Sequence, residues 1–269
     1  MRKLLIAALA IAVLAAVTSV ALASNTYKVH KASTSAKGKG SKEKPIPTGL
    51  VIGFQVGESD ATKRATVIEK YSIGAEGLVT NGKAAAKCPF TDLDDGAGVP
   101  SKCSKALVGD GLVKNAAGAT TDQSLATSSP CNLRVRLYNL GTGLAIRLDN
   151  NGKPAPPSFD SDVVGCPLPI GTAINAKWVK TKIGGVTASD LRFTVPQNLK
   201  HPLTGIDNSI RQSVTSINKK VKTVNGKKVG LYSKVGCKGN KRTTRATFTT
   251  ERTATAAPAT FTATKQTKC

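Results

Sequence analysis

Residues 131–149 read CNLRVRLYNLGTGLAIRLD, and this stretch indicates the fold class. Apolar side chains stand at every second position from 133 to 137 and again from 144 to 148. A period of two is typical of a β-strand that buries one face. Between the two runs, Gly141-Thr-Gly143 supplies the glycines of a tight turn. The stretch therefore predicts an antiparallel hairpin.

The same alternation recurs in shorter pieces along the rest of the chain. It is clear in residues 191–195, which end at Pro196, and in 245–249 and 259–263. Helical spacing is confined to Gly205–Gln212, where two isoleucines stand four apart and predict a short turn of helix. We therefore expect an all-β fold, namely a disulfide-stapled antiparallel β-sandwich of about ten strands.

The hairpin around Asn225-Gly226 admits two registers. A two-residue type I′ loop pairs Val224 with Lys227 and places lysines on the apolar face. A slip of one residue moves every side chain to the opposite face. We therefore expect an odd-length loop over Val224–Gly226, with Gly226 at positive φ. This register places Ile217, Val221, Val229, Leu231 and Val235 on the buried face and Lys220, Lys222, Tyr232 and Lys234 on the other.

The N-terminus has the pattern of a secretory signal peptide. A short positive region precedes an apolar run, and Ala21-Leu-Ala23 matches the small-x-small cleavage pattern. A retained membrane anchor is the alternative interpretation. We expect residues 1–23 to be removed on export and 24–46, rich in Lys and Ser, to form a disordered basic tail. Residues 47–269 then form the β-sandwich domain, with no stable membrane insertion after cleavage.

All six cysteines lie in the part of the chain that follows the predicted signal peptide. Their even number and the oxidising destination of an exported protein favour disulfides. None lies in a CxxC motif, and none is spaced with histidine in a zinc pattern. Spacing alone does not choose among the pairings. We expect the sequential pairing Cys88–Cys103, Cys131–Cys166 and Cys237–Cys269, in a secreted, extracellular or wall-associated protein.

Four fragments, together with a cysteine that ends the chain, carry a resemblance to known proteins. The fragments are KYSIGAEGLVTNG (70–82), KCPFTDL (87–93), SKCSKALVGDG (101–111) and LYSKVGCKGNKR (231–242). With these blocks the chain resembles a set of secreted, cysteine-containing proteins of high-GC Gram-positive bacteria. The resemblance covers most of residues 47–269 and implies a shared exported β fold. It implies no activity, and it transfers no site residue.

An acidic loop between the first two cysteines raises the question of calcium. Asp92, Asp94 and Asp95 lie there among glycines. The spacing fails the EF-hand pattern at three ligand positions. A looser calcium site that also uses Asp110 is the alternative, and calcium-dependent adhesion is the function that it would serve. Because acidic residues in glycine-rich loops are usually only solvated, we expect a disulfide-tied loop with no metal and no cofactor.

The chain is poorly supplied with residues for enzyme chemistry. Its two histidines are His30, in the predicted tail, and His201, in a proline-flanked loop. The HExxH and GxSxG motifs are absent. We therefore expect a non-enzymatic protein. The alternative is a secreted hydrolase, similar to a glycosidase, that uses Asp160, Asp162 or Asp190.

The charge is the most unusual feature of the composition. The formal net charge is +23, and residues 211–252 hold twelve basic residues against one acid. Such a field attracts anionic wall or extracellular polymers non-specifically, although solubility alone is the other explanation. Aromatic residues make up 4% of the chain, so we expect no specific nucleic-acid binding. The predicted binding residues are Lys220, Lys222, Tyr232, Lys234 and Arg245.

Overall fold

Most of the regular structure in the described part of the chain is β-strand. A computed structural model describes residues 25–93, 100–149, 165–166, 171–253 and 256–269. Within these ranges the paired strands are antiparallel, which confirms the predicted all-β class. The predicted signal peptide, residues 1–23, lies outside the described residues.

The structure assigns the following elements. The strands are β1 (Asn25–Thr34), β2 (Ile46–Thr48), β3 (Leu50–Glu58), β4 (Ile68–Ala75), β5 (Leu78–Thr80), β6 (Leu107–Ala119), β7 (Ser129–Pro130), β8 (Leu133–Asn139), β9 (Gly143–Asp149), β10 (Gly171–Ile183), β11 (Val186–Thr194), β12 (Ile206–Ile217), β13 (Val221–Val224), β14 (Lys227–Gly230), β15 (Tyr232–Lys234), β16 (Lys241–Thr250) and β17 (Thr260–Lys268). The helix α1 spans Gln197–Lys200, and 3-10 turns lie at Gly82–Ala84, Phe90–Asp92 and Ser101–Ala106.

One large sheet forms most of the molecule. Its strands follow the order β1-β3-β12-β6-β8-β9-β10-β11-β4-β16-β17, and β7 pairs with β6. The two ends of this order meet, because Tyr27 on β1 stacks against Phe261 on β17 with ring centroids 4.8 Å apart. Long twisted strands with bulges allow a single sheet to curl in this way. The result is a nearly closed, barrel-like sheet where the sequence suggested a two-sheet sandwich of about ten strands.

The hairpin predicted from the alternation in 131–149 is present, and the alternating stretches 245–249 and 259–263 are strands. β8 pairs with β9, Arg134 lying opposite Asp149 and Asn139 opposite Leu144. β16 pairs with β17 in the same manner. On β16, Ala246 and Phe248 are fully buried, whereas Arg245, Thr247 and Thr249, which alternate with them, remain partly exposed. Alternation therefore determined which face of these strands points inward.

The predicted basic tail is partly a strand. Residues 25–34 form β1, which pairs with β3 from Asn25 opposite Glu58 to Thr34 opposite Leu50. The prediction of disorder was wrong there because it was based on the high content of Lys and Ser and overlooked the alternation of buried and exposed positions from Asn25 to Val29. Val29 is buried, with 4% exposure, while the lysines on either side of it face solvent.

The predicted turn of helix at Gly205–Gln212 is also wrong. Residues from Ile206 onward form β12, which pairs with β3 on one side and β6 on the other. Two isoleucines four positions apart share a face in a strand as well as in a helix, so the spacing did not discriminate. The one short α-helix in the described ranges is α1, directly after Pro196.

The hairpin of β13 and β14 has the two-residue loop, so the odd-length loop was wrong. Val224 lies opposite Lys227. Asn225 and Gly226 have φ values of 50° and 73°, as a type I′ turn requires, and the positive φ of Gly226 is confirmed. The hairpin forms a separate two-stranded sheet, in which Val221 is 42% exposed. Only the end of β14 contacts the core, through the partly buried Val229 and the buried Gly230, so a buried face constrains the register weakly.

Three disulfides tie the chain in the expected sequential order. They join Cys88 to Cys103, Cys131 to Cys166, and Cys237 to Cys269. The last bond attaches the final residue to the segment between β15 and β16. Three disulfides are typical of proteins that fold in an oxidising, extracellular environment.

Candidate functional site

The predicted basic face is not assembled, because two of its five residues lie inside the protein. Tyr232 is 4% exposed and Lys234 is 1% exposed. Both belong to β15, the central strand of a small sheet with the order β2-β15-β5. The Lys234 ammonium donates to the carbonyl of Ala36 at 2.7 Å. Burial lowers the pKa of Lys234, and the charge of Arg242 lowers it further.

Tyr232 is held by an aromatic neighbour. The indole N–H of Trp178 donates to the Tyr232 hydroxyl at 3.1 Å, and the two rings meet edge to face. Burial raises the pKa of Tyr232 to about 12, although this hydrogen bond opposes the rise. Tyr232 is therefore part of the core and is not available to a polymer.

The other three predicted residues lie apart from one another. Arg245 donates to the carboxylate of Asp190 at 2.8 Å. Lys220 is half-buried before β13, and Lys222 is exposed on β13. Lys222 shares a shallow depression with Lys83 and Lys87. The five residues thus form no common surface.

Asp190 is the one candidate catalytic acid that the structure describes, since Asp160 and Asp162 lie outside the described residues. It has no exposed surface. Its Oδ2 accepts hydrogen bonds from the Ser72 hydroxyl at 2.9 Å and from two arginines, one of them Arg192 at 3.4 Å. Asp190 therefore offers no surface to a substrate and holds neighbouring strands together.

The acidic loop is described only in part, because Asp94 and Asp95 lie outside the described residues. Asp92 forms an ion pair with Lys102 at 2.8 Å. Its carboxylate lies close to the sulfurs of Cys88 and Cys103, but these sulfurs are joined in a disulfide and are not thiolate ligands. Nearby in sequence, Asp110 is part of β6, where burial raises its pKa and Arg134 lowers it.

A different basic surface is formed by four neighbouring strands of the large sheet. Lys28 on β1 lies opposite Gln55 on β3. Gln55 lies opposite Gln212 on β12, and Gln212 lies opposite Lys114 on β6. Neighbouring strands are about 4.8 Å apart, so this row of polar side chains spans about 14 Å. The row forms the floor of a groove.

A β-bulge adds a cation beside the row. The register of β12 against β6 shifts between Ile210 and Gln212, which leaves Arg211 without an opposite residue. An extra residue in a bulge points where regular alternation would not send it. Arg211 is exposed and lines the groove.

Two loops pair with each other and build the wall of the groove. The backbone N–H of Arg64, in the first loop, donates to the carbonyl of Gln123, in the second, at 2.7 Å. Its guanidinium donates to the carbonyls of Ala119, Asp122 and Asp207 at 2.6 to 3.1 Å. The side chain is thereby fixed, and Arg64 is 2% exposed. Burial lowers the pKa of Arg64, whereas the nearby carboxylates raise it.

The groove has a volume of about 820 Å³, within the range of ligand-binding clefts. Its described lining holds five cationic residues and a single acid, Glu58. Three buried polar atoms in the lining, Glu58 Oε2, Arg64 Nε and Asn115 Oδ1, have no hydrogen-bond partner among the described residues. The cations that line it are Lys28, Lys63, Arg64, Lys114 and Arg211.

Tyr27 lines the groove, but other aromatic rings of the protein already stack against its ring. Tyr27 stacks on Phe248 and on Phe261, with ring centroids 4.9 and 4.8 Å apart. Burial raises the pKa of Tyr27 to about 12. The ring is therefore unavailable for stacking on a nucleic-acid base.

A charged cluster at α1 was also missed by the sequence reasoning. Lys200 donates to Glu251 Oε1 at 2.6 Å. His201 lies between two acids, with Nε2 at 2.6 Å from Glu251 and Nδ1 at 2.9 Å from Asp207. Burial alone would raise the pKa of Glu251, but the hydrogen bonds from Lys200 and His201 lower it below its ordinary value. These residues join α1 to the segment that follows β16.

Comparison with known proteins gives no match to a family model, a curated protein or a solved structure. Among the helices in the described ranges, none has the length and apolar character needed to cross a bilayer.

Proposed function

We propose that this protein is exported and non-enzymatic, and that it binds anionic polymers of the cell envelope or the extracellular medium through the groove. The observation that carries the proposal is the excess of accessible cations in a single cleft, whose described lining holds one acid, Glu58. Four of its cations reach solvent, one of them Lys63, which also pairs with Asp60 at 3.3 Å. Clefts lined by one sign of charge concentrate ions of the opposite sign. The net charge of the chain is +23, of which export removes only the charges of Arg2 and Lys3, so the same attraction extends over the whole exported molecule.

The spacing of the cations favours an extended ligand. Lys28 and Lys114 lie at the two ends of a row about 14 Å long, with Gln55 and Gln212 between them. A polymer with repeated charges would contact both ends, and the two amides would donate to its oxygens. Because Tyr27 is stacked within the protein, a polymer without flat bases suits the groove better than nucleic acid.

Co-sedimentation of the mature protein with purified cell-wall sacculi, over a gradient of salt, tests this proposal. We expect pelleting at low salt that weakens steeply as salt is added. The groove variant Lys28→Glu/Arg211→Glu should bind about tenfold more weakly, from about 0.3 to 0.4 kcal/mol for each unit of charge changed. The matched control is Lys180→Glu/Lys182→Glu on β10, which carries the same change in net charge three strands beyond β6.

The outcomes distinguish binding through the groove from binding that depends only on net charge. Absence of pelleting at low salt would refute wall binding. Equal weakening of both variants would show that net charge alone drives the interaction and that the groove has no special part. Loss confined to the groove variant would support the proposal.

A further inference from the structure

The interior of the barrel-like sheet contains a cavity that the groove does not explain. Its volume is about 150 Å³. Inward side chains of β3, β4, β6 and β8 to β12 line it, and most of them are aliphatic or aromatic. Cavities of about this size with apolar walls accept molecules as small as benzene. Large barrels commonly enclose such ligand sites.

One polar side chain in this lining has an unused acceptor. Asn208 is 8% exposed, and its amide N–H donates to the carbonyl of Leu199 at 3.0 Å. That bond identifies the nitrogen of the amide and therefore also the oxygen. The oxygen, Oδ1, has no hydrogen-bond partner within the described part of the chain. Because buried acceptors are normally satisfied, this atom indicates a donor from outside the protein, supplied by a bound water or by a ligand.

A second amide lies beside the first. Asn208 on β12 lies opposite Ala117, and Ile210 lies opposite Asn115 on β6. Asn115 and Asn208 are thus diagonal neighbours about 7 Å apart. Asn115 is 7% exposed and lines both the cavity and the groove. Its Oδ1 also lacks a partner in the described ranges.

The charged and polar residues at this end of the cavity determine which polar group a ligand can place beside Asn208. Lys200 lines the cavity, and its ammonium is bound to Glu251. An ammonium on a ligand would be repelled by Lys200. A carboxylate would face the unpartnered amide oxygen of Asn208, which has no proton to offer it. A neutral hydroxyl group satisfies the amide oxygen without adding charge.

We propose that the barrel interior binds a small apolar molecule that carries one neutral hydroxyl group, with the hydroxyl donating to Asn208 Oδ1. The ligand class is that of phenols and small aliphatic alcohols. The apolar part fills the cavity, and the hydroxyl supplies the missing donor. This site is separate from polymer binding in the groove.

The proposal is tested by methyl NMR titration of the mature full-length protein with phenol, benzene and benzoate. Phenol should shift the methyl signals of Leu137, Ile146 and Ile174, which line the cavity. We expect phenol to bind about five- to tenfold more tightly than benzene, as one additional hydrogen bond predicts. Benzoate should bind at least about tenfold more weakly than phenol, because its charge would be buried.

Two variants locate the contacts. Asn208→Leu keeps a similar size but removes the acceptor, so the preference for phenol over benzene should disappear. Val135→Phe places a larger side chain in the cavity and should abolish the binding of both. Equal affinity of the wild-type protein for phenol and benzene, or shifts confined to residues outside the cavity, would overturn the proposal. The wild-type comparison decides the matter even if a variant fails to fold.

Discussion

The substitution Glu251→Gln tests how the charged cluster at α1 stabilises the fold. Lys200 is only 5% exposed, and its ammonium donates to Glu251 at 2.6 Å. Glutamine keeps the size of Glu251 but removes the charge, which leaves the Lys200 ammonium buried beside a neutral group. Breaking a buried ion pair costs about 3–5 kcal/mol.

The lower end of this range applies, because the Glu251 side chain retains 19% exposure. We therefore expect the free energy of unfolding to fall by about 3 kcal/mol. For a chain of this size, the melting temperature should fall by about 6–12 °C. Urea and thermal unfolding of the mature protein at neutral pH measure both quantities.

The double variant Lys200→Met/Glu251→Gln removes both charges. Replacing a buried pair with uncharged groups is often close to neutral, so this variant should recover at least about half of the lost stability. The control is Glu69→Gln, since Glu69 forms a 3.9 Å ion pair with Lys70, which is 58% exposed. The control should change stability by less than about 0.5 kcal/mol.

The effect of Glu251→Gln should depend on pH in a defined direction. The pKa of Glu251 is lowered in the folded protein, so its carboxylate contributes stability above the ordinary pKa of glutamate, about 4.3. That contribution is lost as the pH falls through the lowered pKa. The difference between wild type and variant should therefore shrink below about pH 4. A loss of stability no larger than that of Glu69→Gln, or a difference unchanged in acid, would refute the reasoning.

Three further predictions concern stability and ionisation. Asp190→Asn should lower the free energy of unfolding by about 2 kcal/mol, since two arginines lose the negative charge that they pair with; urea unfolding measures this, and no loss would contradict it. Cys237→Ala/Cys269→Ala opens a loop with a sequence separation of 32 and should cost about 3–4 kcal/mol; a cost below about 1 kcal/mol in urea would contradict it. Burial raises the pKa of all four tyrosines, with Tyr27 and Tyr232 at about 12. Phenolate absorbance should therefore stay small at about pH 10, and half-ionisation of the folded protein there would contradict the structure.

Strands and turns that depend only on residues close together in the sequence could be predicted from it. The alternation in 131–149 predicted the hairpin of β8 and β9, which the structure confirms. The glycine at 226 was expected at positive φ and has that conformation. A strand with one buried face repeats its pattern over a few residues, so local inspection is sufficient to find it.

Whether a given face of a strand is buried or exposed could not be predicted, because it depends on which other parts of the chain cover that face. Lys234 alternates correctly for an outward position, yet it is buried because both faces of β15 are covered, and its ammonium donates to the carbonyl of Ala36. Conversely, Val221 was expected inside and is 42% exposed, because its hairpin packs as a separate sheet. Alternation distinguishes two faces of a strand but does not state whether a face meets solvent or another part of the chain.

The sequence by itself determined the all-β class, the local hairpins and the excess of positive charge. Only the tertiary structure decided where that charge is concentrated. Lys28, Gln55, Lys114 and Gln212 are far apart in the chain and become neighbours through the registers of four strands. Such registers are set by long-range pairing and by a bulge at Arg211, and residues distant in sequence carry no local signal of either.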